Sequence, residues 1–498
     1  MNHMGRNLIT TLIFIFGAPL AHSADIEWSG KYRFEGVFIK NYTLDKSAGV
    51  EDSYILNHLI LEPKIIATDG INIKSRFDIF NNGLNNSQHG QVFGDYTQPT
   101  SSTSPGQGPA VLSKSESSET IAVTELYVNF IHEFGALVVG RVPFQFGLGM
   151  LYNSGNGNFD HALSTKDMVG YKLVLGNITI MPGYGKVREG NLLNEDDIND
   201  YLVMAEYTNP ETDLSMGFLF DQRVAPYDSS GQGNDFPTNY FSNSNTTFGN
   251  AIVNSGYSAY NMNFYVKKKW DNFNVGVELG FLNGNSGMKV SEPATGNLDS
   301  VLLSGFGGAL ELGYRTGNIK LNVRTGMASG DDPDTATMEG YAFSPNYHVA
   351  MLLFAYPMGN IDVLRSGVWG THPANYANGN QAISNLGGLD TETISNAIYF
   401  SPNLTWSLGE HFDLLGTFCY ANLVKPSVST TSPPAGLAGY GSTSLGFESD
   451  FGFSYHPTDK ITWETTLGLL FPGSAWAGDG AYATNLAYGA TTKAAIGF

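Results

Sequence analysis

Charged side chains alternate with apolar ones in many short segments of this sequence. In one such segment, Lys31 and Arg33 alternate with Tyr32 and Phe34. Charges lined up on one face can attract, repel or orient a passing ion or polar solute. The positions that the pattern assigns to this polar, pore-lining face include Lys31, Arg33, Lys74, Arg76, Arg141, Lys267, Glu278, Glu311, Lys320, Arg324, Glu448, Asp450 and Glu464.

Two interpretations of these charges are open. Basic residues dominate the earlier part of the set and acidic residues dominate after about residue 400, so that separate arcs could set a transverse field across a pore. Alternatively, the charged groups face water and simply solvate a wall.

No segment has the pattern of a catalytic or cofactor site. The sequence contains no nucleotide-binding loop, zinc-ligand spacing or nucleophile elbow. The single cysteine, Cys419, excludes an intrachain disulfide and a cysteine-based metal site. The acidic run near Asp331 and Asp332 lacks the spacing of an EF-hand, and we interpret it as solvated loop charge. We therefore expect a protein that is not an enzyme and has no cofactor.

The alternation has the period of a β-strand, whose successive side chains point to opposite faces. Short polar turns join sixteen alternating segments into eight pairs. One further alternating segment precedes the first pair, and another follows the last pair. The sequence therefore predicts an all-β protein of about 18 antiparallel strands. The pairs lie near 54–67/71–80, 120–132/136–149, 167–175/178–186, 200–208/213–223, 257–268/273–282, 302–315/319–327, 394–408/411–424 and 442–456/460–471.

Long connections rich in glycine, serine and asparagine separate the pairs. Short turns that alternate with long loops are typical of a transmembrane β-barrel, with short periplasmic turns and long extracellular loops. A barrel of this size is too wide for its own side chains to fill, so we expect a wet lumen. The long connections lie near 82–118, 224–256, 283–300, 328–393 and 426–441.

The face opposite the charged one is apolar and carries no charge. This composition suits outer-membrane lipid, because Lys or Arg on a lipid face near the midplane costs about 2–4 kcal/mol. The predicted outward set is Phe264, Val266, Val275, Val277, Leu279, Phe281, Leu310, Leu312, Tyr314, Ile398, Phe400, Leu404, Trp406, Phe451, Phe453, Tyr455, Trp463, Leu467 and Leu469.

Residues 1–23 have the features of a secretory signal peptide. A basic n-region precedes an apolar segment over 8–20, and small residues lead up to a cleavage site between Ser23 and Ala24. We therefore predict a single mature barrel domain over 24–498. The apolar segment is shorter than the roughly 20 residues of a helical membrane span, which argues against the alternative of an N-terminal anchor.

The composition and the C-terminal segment are also consistent with an outer-membrane protein. The formal net charge is −20, which argues against nucleic acid as a partner, and charged residues make up only 14% of the chain. The last alternating segment ends at Phe498. A terminal phenylalanine of this kind resembles the signal that the outer-membrane assembly machinery reads.

Two stretches resemble the alginate-export-type outer-membrane porins. The first covers 125–149 and contains the pair Gly140-Arg141; the second covers 329–362 and contains an acidic Ser-Gly-Asp-Asp run, His348 and Asp362. The resemblance implies an 18-stranded monomeric barrel in which Arg141 faces the pore. It also implies that the loop 328–393, with Asp331, Asp332, His348 and Asp362, lies at or in the pore mouth.

These observations favour a passive outer-membrane channel for small hydrophilic or oligomeric solutes. An alternative is an export channel for a secreted polysaccharide of the alginate type. That family's best-understood member has a strongly basic lumen, whereas the charges predicted here have mixed signs. A further alternative is a structural or adhesive barrel that is plugged by its own loops.

Overall fold

The segments that alternate in sequence form long antiparallel strands in the computed structural model. The described residues are 25–44, 46, 49–79, 91–92, 121–188, 197–225, 252–254, 256–291, 298–332, 334–335, 337–359, 363–364, 392–428, 441–477 and 484–498. The strands are β1 (Asp25–Lys40), β2 (Glu51–Thr68), β3 (Ile71–Ile79), β4 (Gln91–Val92), β5 (Ile121–His132), β6 (Gly135–Pro143), β7 (Thr165–Leu175), β8 (Ile178–Arg188), β9 (Ile198–Asn209), β10 (Leu214–Ala225), β11 (Ile252–Asn254), β12 (Tyr257–Lys269), β13 (Phe273–Ser291), β14 (Leu298–Thr316), β15 (Ile319–Ala328), β16 (Ala397–Ser407), β17 (Phe412–Leu423), β18 (Ser444–Thr458), β19 (Ile461–Pro472) and β20 (Ala487–Gly497). A short 3-10 helix covers Ser474–Trp476.

The strands close into a ring. Each long strand pairs antiparallel with the long strands before and after it, and β1 also pairs with β20. The short β4 and β11 pair only with β2 and β13, so eighteen strands form the barrel wall. The predicted antiparallel barrel of about 18 strands is confirmed.

The last residue takes part in the closure. The backbone N–H of Phe498 donates to the carbonyl of Gly30 at 3.1 Å, and the N–H of Gly30 donates to the carbonyl of Phe498 at 3.3 Å. Closure matters because an open sheet edge would leave unpaired N–H and C=O groups, which hydrocarbon cannot satisfy. Phe498 therefore extends the hydrogen-bonded seam between β1 and β20.

The outer face of the wall is apolar. Every member of the predicted outward set is exposed or half-exposed and none is buried, with Phe451 at 60% and Trp463 at 51%. Aromatic residues pack against one another across strands on this face, as Phe447 does with Phe471. No helix in the described part of the chain is long and apolar enough to cross a membrane.

The core lies inside the barrel, on the inner side of the wall. Its larger cluster joins inward side chains of the strands, such as Ile39, Tyr399 and Leu470, to apolar residues of the connection between β15 and β16. A second cluster joins β7–β12 to the connection between β6 and β7, through residues such as Phe146 and Leu219. The lumen is therefore partly filled by folded chain.

Two predicted boundaries were wrong. The strand expected to reach residue 149 ends at Pro143, because proline has no N–H for the next ladder bond and the chain then turns inward. The long connection expected near 283–300 is mostly strand, since β13 continues to Ser291 and β14 begins at Leu298. The predicted signal peptide lies outside the described residues, as does most of the connections near 82–118, 224–256 and 426–441.

Candidate functional site

The connection between β6 and β7, residues 144–164, enters the lumen and is called the first inward loop below. It begins directly after Pro143, and its aromatic side chains Phe144 and Phe146 are buried. Gly147 has a φ of +52°, and a Cβ at this position would lie 2.5 Å from Oε2 of Glu278. Glycine adopts this left-handed conformation without steric cost, and a larger residue here would have to displace the carboxylate of Glu278.

One wall of the barrel holds this loop by its backbone. Oε2 of Glu278 on β13 accepts hydrogen bonds from the N–H groups of Leu148 at 2.6 Å and Met150 at 3.3 Å. Lys267 on β12 donates to the carbonyl of Gly147. Glu278 is buried, and the hydrogen bonds from the loop satisfy one of its two carboxylate oxygens.

The nearly opposite wall holds the far half of the same loop. Lys31 donates to the carbonyls of Asn156 and Gly157 at 3.1 and 2.9 Å, and Arg76 donates to that of Gly155 at 3.1 Å. Arg33 likewise donates to the carbonyl of residue 160. The first inward loop therefore crosses the lumen between two walls that both bind it.

A histidine strengthens the second attachment. Nε2 of His161 lies 2.7 Å from Oε1 of Glu35 on β1, and Nε of Arg33 lies 2.7 Å from the same oxygen. Lys493 on β20 approaches the other oxygen of Glu35 at 3.3 Å. Glu35 is fully buried and is surrounded by three groups that can carry positive charge, so it joins the loop to both ends of the sheet.

A cluster of ion pairs on β7, β9 and β10 also contacts this loop. Lys166 lies 2.8 Å from Asp200 and 2.7 Å from Asp221, and Arg223 binds Asp200 at 2.8 Å. Tyr152 of the first inward loop donates to Asp221. The cluster joins β7, β9 and β10 to the loop and leaves these charges paired.

The connection between β15 and β16 also enters the lumen, and its segment 341–359 is called the second inward loop. Its apolar side chains are buried, including Leu352 and Leu353 at 0% and 1% exposure. The N–H groups of Leu352 and Leu353 donate to Glu448 on β18 at 2.6 and 2.7 Å, and that of Met351 donates to Asp450 at 3.1 Å. Two acidic wall residues therefore bind three consecutive backbone N–H groups.

Strands β14 and β15 hold the start of the second inward loop. Nη1 of Arg324 donates to the carbonyl of His348 at 2.7 Å, and the hydroxyl of Tyr347 donates to Glu311 at 3.0 Å. Burial raises the pKa of Tyr347 well above its usual range, so the hydroxyl stays protonated and acts as a donor. Arg324 also lies 3.5 Å from Glu311.

The two inward loops bind each other through Asn346. Its Oδ1 accepts hydrogen bonds from the N–H groups of His161 at 3.0 Å and Ala162 at 2.9 Å. Its Nδ2 donates to the carbonyl of Ala162 at 2.7 Å and to Asn153 at 3.2 Å. One side chain of the second loop therefore makes four hydrogen bonds to the first, and the loops form one constriction.

A cavity of about 510 Å³ remains between the loops and the wall of β15–β20. Acidic and basic groups both reach it: Asp450 and Glu464 from the wall, and Arg324 and Lys493 on either side of them. The other lining residues include Phe159, Asp160, His161, His348, Met351, Tyr356, Asn403, Thr405, Thr417, Thr466 and Thr491. This cavity is the candidate site for a solute in the lumen.

All the predicted pore-lining positions except Arg141 lie on the inward face, and the structure brings only some of them together. Arg324, Asp450 and Glu464 meet at the cavity, whereas Glu278 and Glu448 are covered by the loops. Of the two interpretations left open by the sequence, separate arcs of charge do not form among the described residues. Basic and acidic groups are paired locally, as in Arg76 with Asp78 at 3.1 Å.

The expectation that Arg141 faces the pore was wrong. On β6, Val138 is buried whereas Leu137 and Val139 are exposed, so the alternation places Arg141 on the outer face. There its guanidinium binds Asp167 through two hydrogen bonds of 2.7 and 2.8 Å. The residue lies at the end of its strand, and a charge on the lipid face costs far less near the interface than at the midplane.

The loop residues predicted to form a constriction have different positions. His348 lines the cavity, and Asp362 lies outside the described residues. Asp332 binds Lys425 at 2.9 Å, and this hydrogen bond lowers the pKa of Asp332. Asp331 accepts the N–H of Glu339 at 2.7 Å, and burial raises the pKa of Asp331 to about 7.

The sequence interpretation missed the whole first inward loop and, with it, Asp160 and His161. The signal was present, because 144–152 contains phenylalanine, leucine, methionine and tyrosine, which an exposed loop would not retain. It also missed Lys493, which lies in the last strand and binds Glu35. No group of three or more potential metal ligands occurs in the described part of the chain.

A scan of protein-family models and a search of curated proteins gave no match. Among solved structures, the outer membrane protein opdK from Pseudomonas aeruginosa is 10% identical with a TM-score of 0.48, covering 95% of this chain and 99% of that one. A BenF-like porin from Pseudomonas fluorescens Pf-5 is 11% identical with a TM-score of 0.47, covering 95% and 98%. Pseudomonas aeruginosa OccK2 (OpdF) in complex with glucuronate is 9% identical with a TM-score of 0.47, covering 95% and 96%. At these values the likenesses carry no conclusion about the substrate of this chain.

Proposed function

We propose that this protein is an outer-membrane channel through which small hydrophilic solutes diffuse passively. The observation that carries the proposal is a closed ring of eighteen strands with an apolar outer face and a polar cavity inside it. A closed ring satisfies every strand edge, and its apolar wall suits hydrocarbon. In this proposal the cavity beside the two inward loops is the solute path, and no chemical step takes place.

The proposal includes the route to the membrane. Residues 1–23 act as a signal peptide that is removed after Ser23, and the strand ending at Phe498 is recognised by the outer-membrane assembly machinery. The hydrogen bonds between Phe498 and Gly30 support a role for this residue in closing the barrel. Deleting Phe498 should therefore lower the yield of folded barrel in outer-membrane fractions.

Reconstitution of the mature chain tests the channel function. Residues 24–498, refolded in detergent and inserted into liposomes, should let small sugars and amino acids enter and cause swelling. In planar bilayers the same protein should produce stepwise conductance. Heat-denatured protein is the control, and conductance no greater than in protein-free bilayers would overturn the proposal.

Export of a polysaccharide of the alginate type is the finer alternative, supported by the sequence resemblance around 329–362. The described lumen gives it little support, because several of its basic groups are paired with acids, as in Arg33 with Glu35 and Lys166 with Asp200. A polyanion path needs a basic surface. Strong anion selectivity in bilayers, together with polymer-synthase genes beside this gene, would favour export.

A plugged structural barrel is the remaining alternative, and the apolar cluster of the second inward loop inside the lumen supports it. Deletion of residues 330–390 separates the two cases. A plugged barrel would conduct only after the deletion, whereas a channel conducts before it and changes in conductance or selectivity.

A further inference from the structure

The wall of the cavity carries hydroxyl side chains along one register row, which is called the hydroxyl row below. Thr466 on β19 is the register partner of Thr491 on β20, and both face the lumen. The same row continues through Gly452 and Leu415 to Thr405 on β16. In the next row, Asn403 and Thr417 are register partners and also line the cavity.

These polar side chains have hydrogen-bonding capacity to spare. No side-chain hydrogen bond joins Asn403 or the four threonines to another described residue. Each hydroxyl can donate one hydrogen bond and accept two. Thr491 is only 5% exposed, yet it lines the cavity. A solute in the cavity would therefore meet uncharged donors and acceptors that the protein itself does not use.

The charges around the row are already engaged. Lys493 lies 3.3 Å from Glu35 and is the register partner of Glu464. Arg324 donates to the carbonyl of His348 at 2.7 Å, and Asp450 accepts the N–H of Met351 at 3.1 Å. Each of these groups already has a partner within the protein, so a charged solute gains less from it and loses its own hydration on entry. The site therefore disfavours ions compared with uncharged polar molecules.

The lining that the two inward loops contribute is partly apolar. Phe159 of the first inward loop and Met351 and Tyr356 of the second line the same cavity as the hydroxyl side chains. A sugar has both kinds of surface, hydroxyl groups at its rim and C–H groups on its faces. The cavity volume of about 510 Å³ lies within the usual range for small-molecule sites, roughly 300–1,000 Å³.

We propose that this cavity is a binding site for an uncharged polyhydroxylated solute of the mono- or disaccharide class. The hydroxyl row binds the hydroxyl groups of the solute, and the aromatic and aliphatic side chains of the loops cover its apolar faces. The inference rests on the proposed channel function and names the solute class of that channel.

Three hexose derivatives of equal size test the charge preference: glucose, glucuronate and glucosamine. Saturation-transfer NMR on the full mature protein in detergent measures their relative binding without requiring conduction. We expect glucose to bind best. Preferential binding of the anion or the cation would overturn the inference, whatever the bilayer experiments show about conduction.

Two matched double variants test the site itself. Thr466→Val with Thr491→Val removes two inward hydroxyls at almost constant volume, whereas Thr465→Val with Thr492→Val changes their outward neighbours on the same two strands. We expect the inward variant to weaken glucose binding about ten-fold, as the loss of two hydrogen bonds implies, and the outward variant to leave it within about two-fold.

Serine at both inward positions restores the hydroxyls and should restore most of the binding, which excludes a folding defect as the cause. Equal binding by the inward valine variant and the unchanged protein would overturn the inference. Sucrose block of the bilayer current provides a second readout. A channel that conducts without such block would retain the proposed function but not this solute class.

Discussion

The carboxylate of Glu278 on β13 accepts a 2.6 Å hydrogen bond from the backbone N–H of Leu148, in a loop whose ends lie on β6 and β7. A buried acid on one wall thus fixes a segment that starts several strands away. Because the loop contributes backbone N–H groups, its side chains can vary while the attachment remains. The width of the lumen therefore depends on the wall as much as on the loop.

Glu278→Ala should release this end of the first inward loop. The N–H groups of Leu148 and Met150 would lose their acceptor, at a cost of about 1–3 kcal/mol for each group left buried and unpaired. We expect larger single-channel conductance and greater current noise in planar bilayers.

Glu410→Ala is a suitable control for that experiment, because Glu410 is an exposed acid in the short turn between β16 and β17. It should leave the conductance unchanged. If Glu278→Ala gave the same current trace as the unchanged protein, Glu278 would not be the group that holds the first inward loop in place.

Asn346→Ala should weaken the coupling of the two inward loops and leave the backbone hydrogen bond from Ser344 to Met150 in place. The change removes four hydrogen bonds to residues Asn153, His161 and Ala162 while leaving the wall contacts of each loop in place. We expect faster amide exchange in 153–164 and 344–350, measured by mass spectrometry. Exchange in β1 and β20 should stay slow, and faster exchange there would mean that the whole barrel had been destabilised instead.

The loop around Asp331 should become less stable as pH rises. Burial raises the pKa of Asp331 to about 7 from an ordinary value of 3.8, with Glu339 and Asp332 adding to the effect and Lys425 opposing it. Between these values the folded loop holds a proton that the unfolded chain has released, so its stabilisation is present at low pH and is lost as pH rises through 7.

Amide exchange of 337–343, corrected for the intrinsic pH dependence, measures this effect. Protection should be greater at pH 5 than at pH 8. Asp331→Asn fixes the neutral form and should make protection independent of pH over that interval. An unchanged pH profile in the asparagine variant would assign the effect to another group.

Arg141→Ala should have little effect on ion selectivity, although the sequence resemblance assigned this residue to the pore. The ion pair between Arg141 and Asp167 is half-exposed and lies on the outer face. It contributes at most about 1 kcal/mol to the free energy of unfolding. Arg324→Ala removes a cation from the cavity and should shift the reversal potential toward cation selectivity. Equal shifts in the two variants would contradict the outward position of Arg141.

The sequence by itself determined the barrel. Period-two alternation requires strands with two different faces, and uncharged outward positions such as Phe451 and Trp463 require an apolar surrounding. Short turns fix each hairpin locally, so the number of strands follows from counting them. All these patterns involve residues that are close together in the sequence, so they can be recognised from one sequence alone.

The site depended on contacts between residues far apart in the chain. Asn346 meets His161, and Glu278 meets Leu148, only because the closed ring brings their strands and loops to the same height in the lumen. Arg141 was assigned to the pore face with the other charged positions and by the Gly-Arg resemblance, whereas on β6 it shares the outer face with Leu137 and Val139. A short motif does not state which face of the strand it lies on. The tertiary structure decided which charged residues line the cavity and which are covered by the loops. The hydrogen bonds to a buried carboxylate depend on positions in space, and the spacing of residues in the sequence does not give those positions.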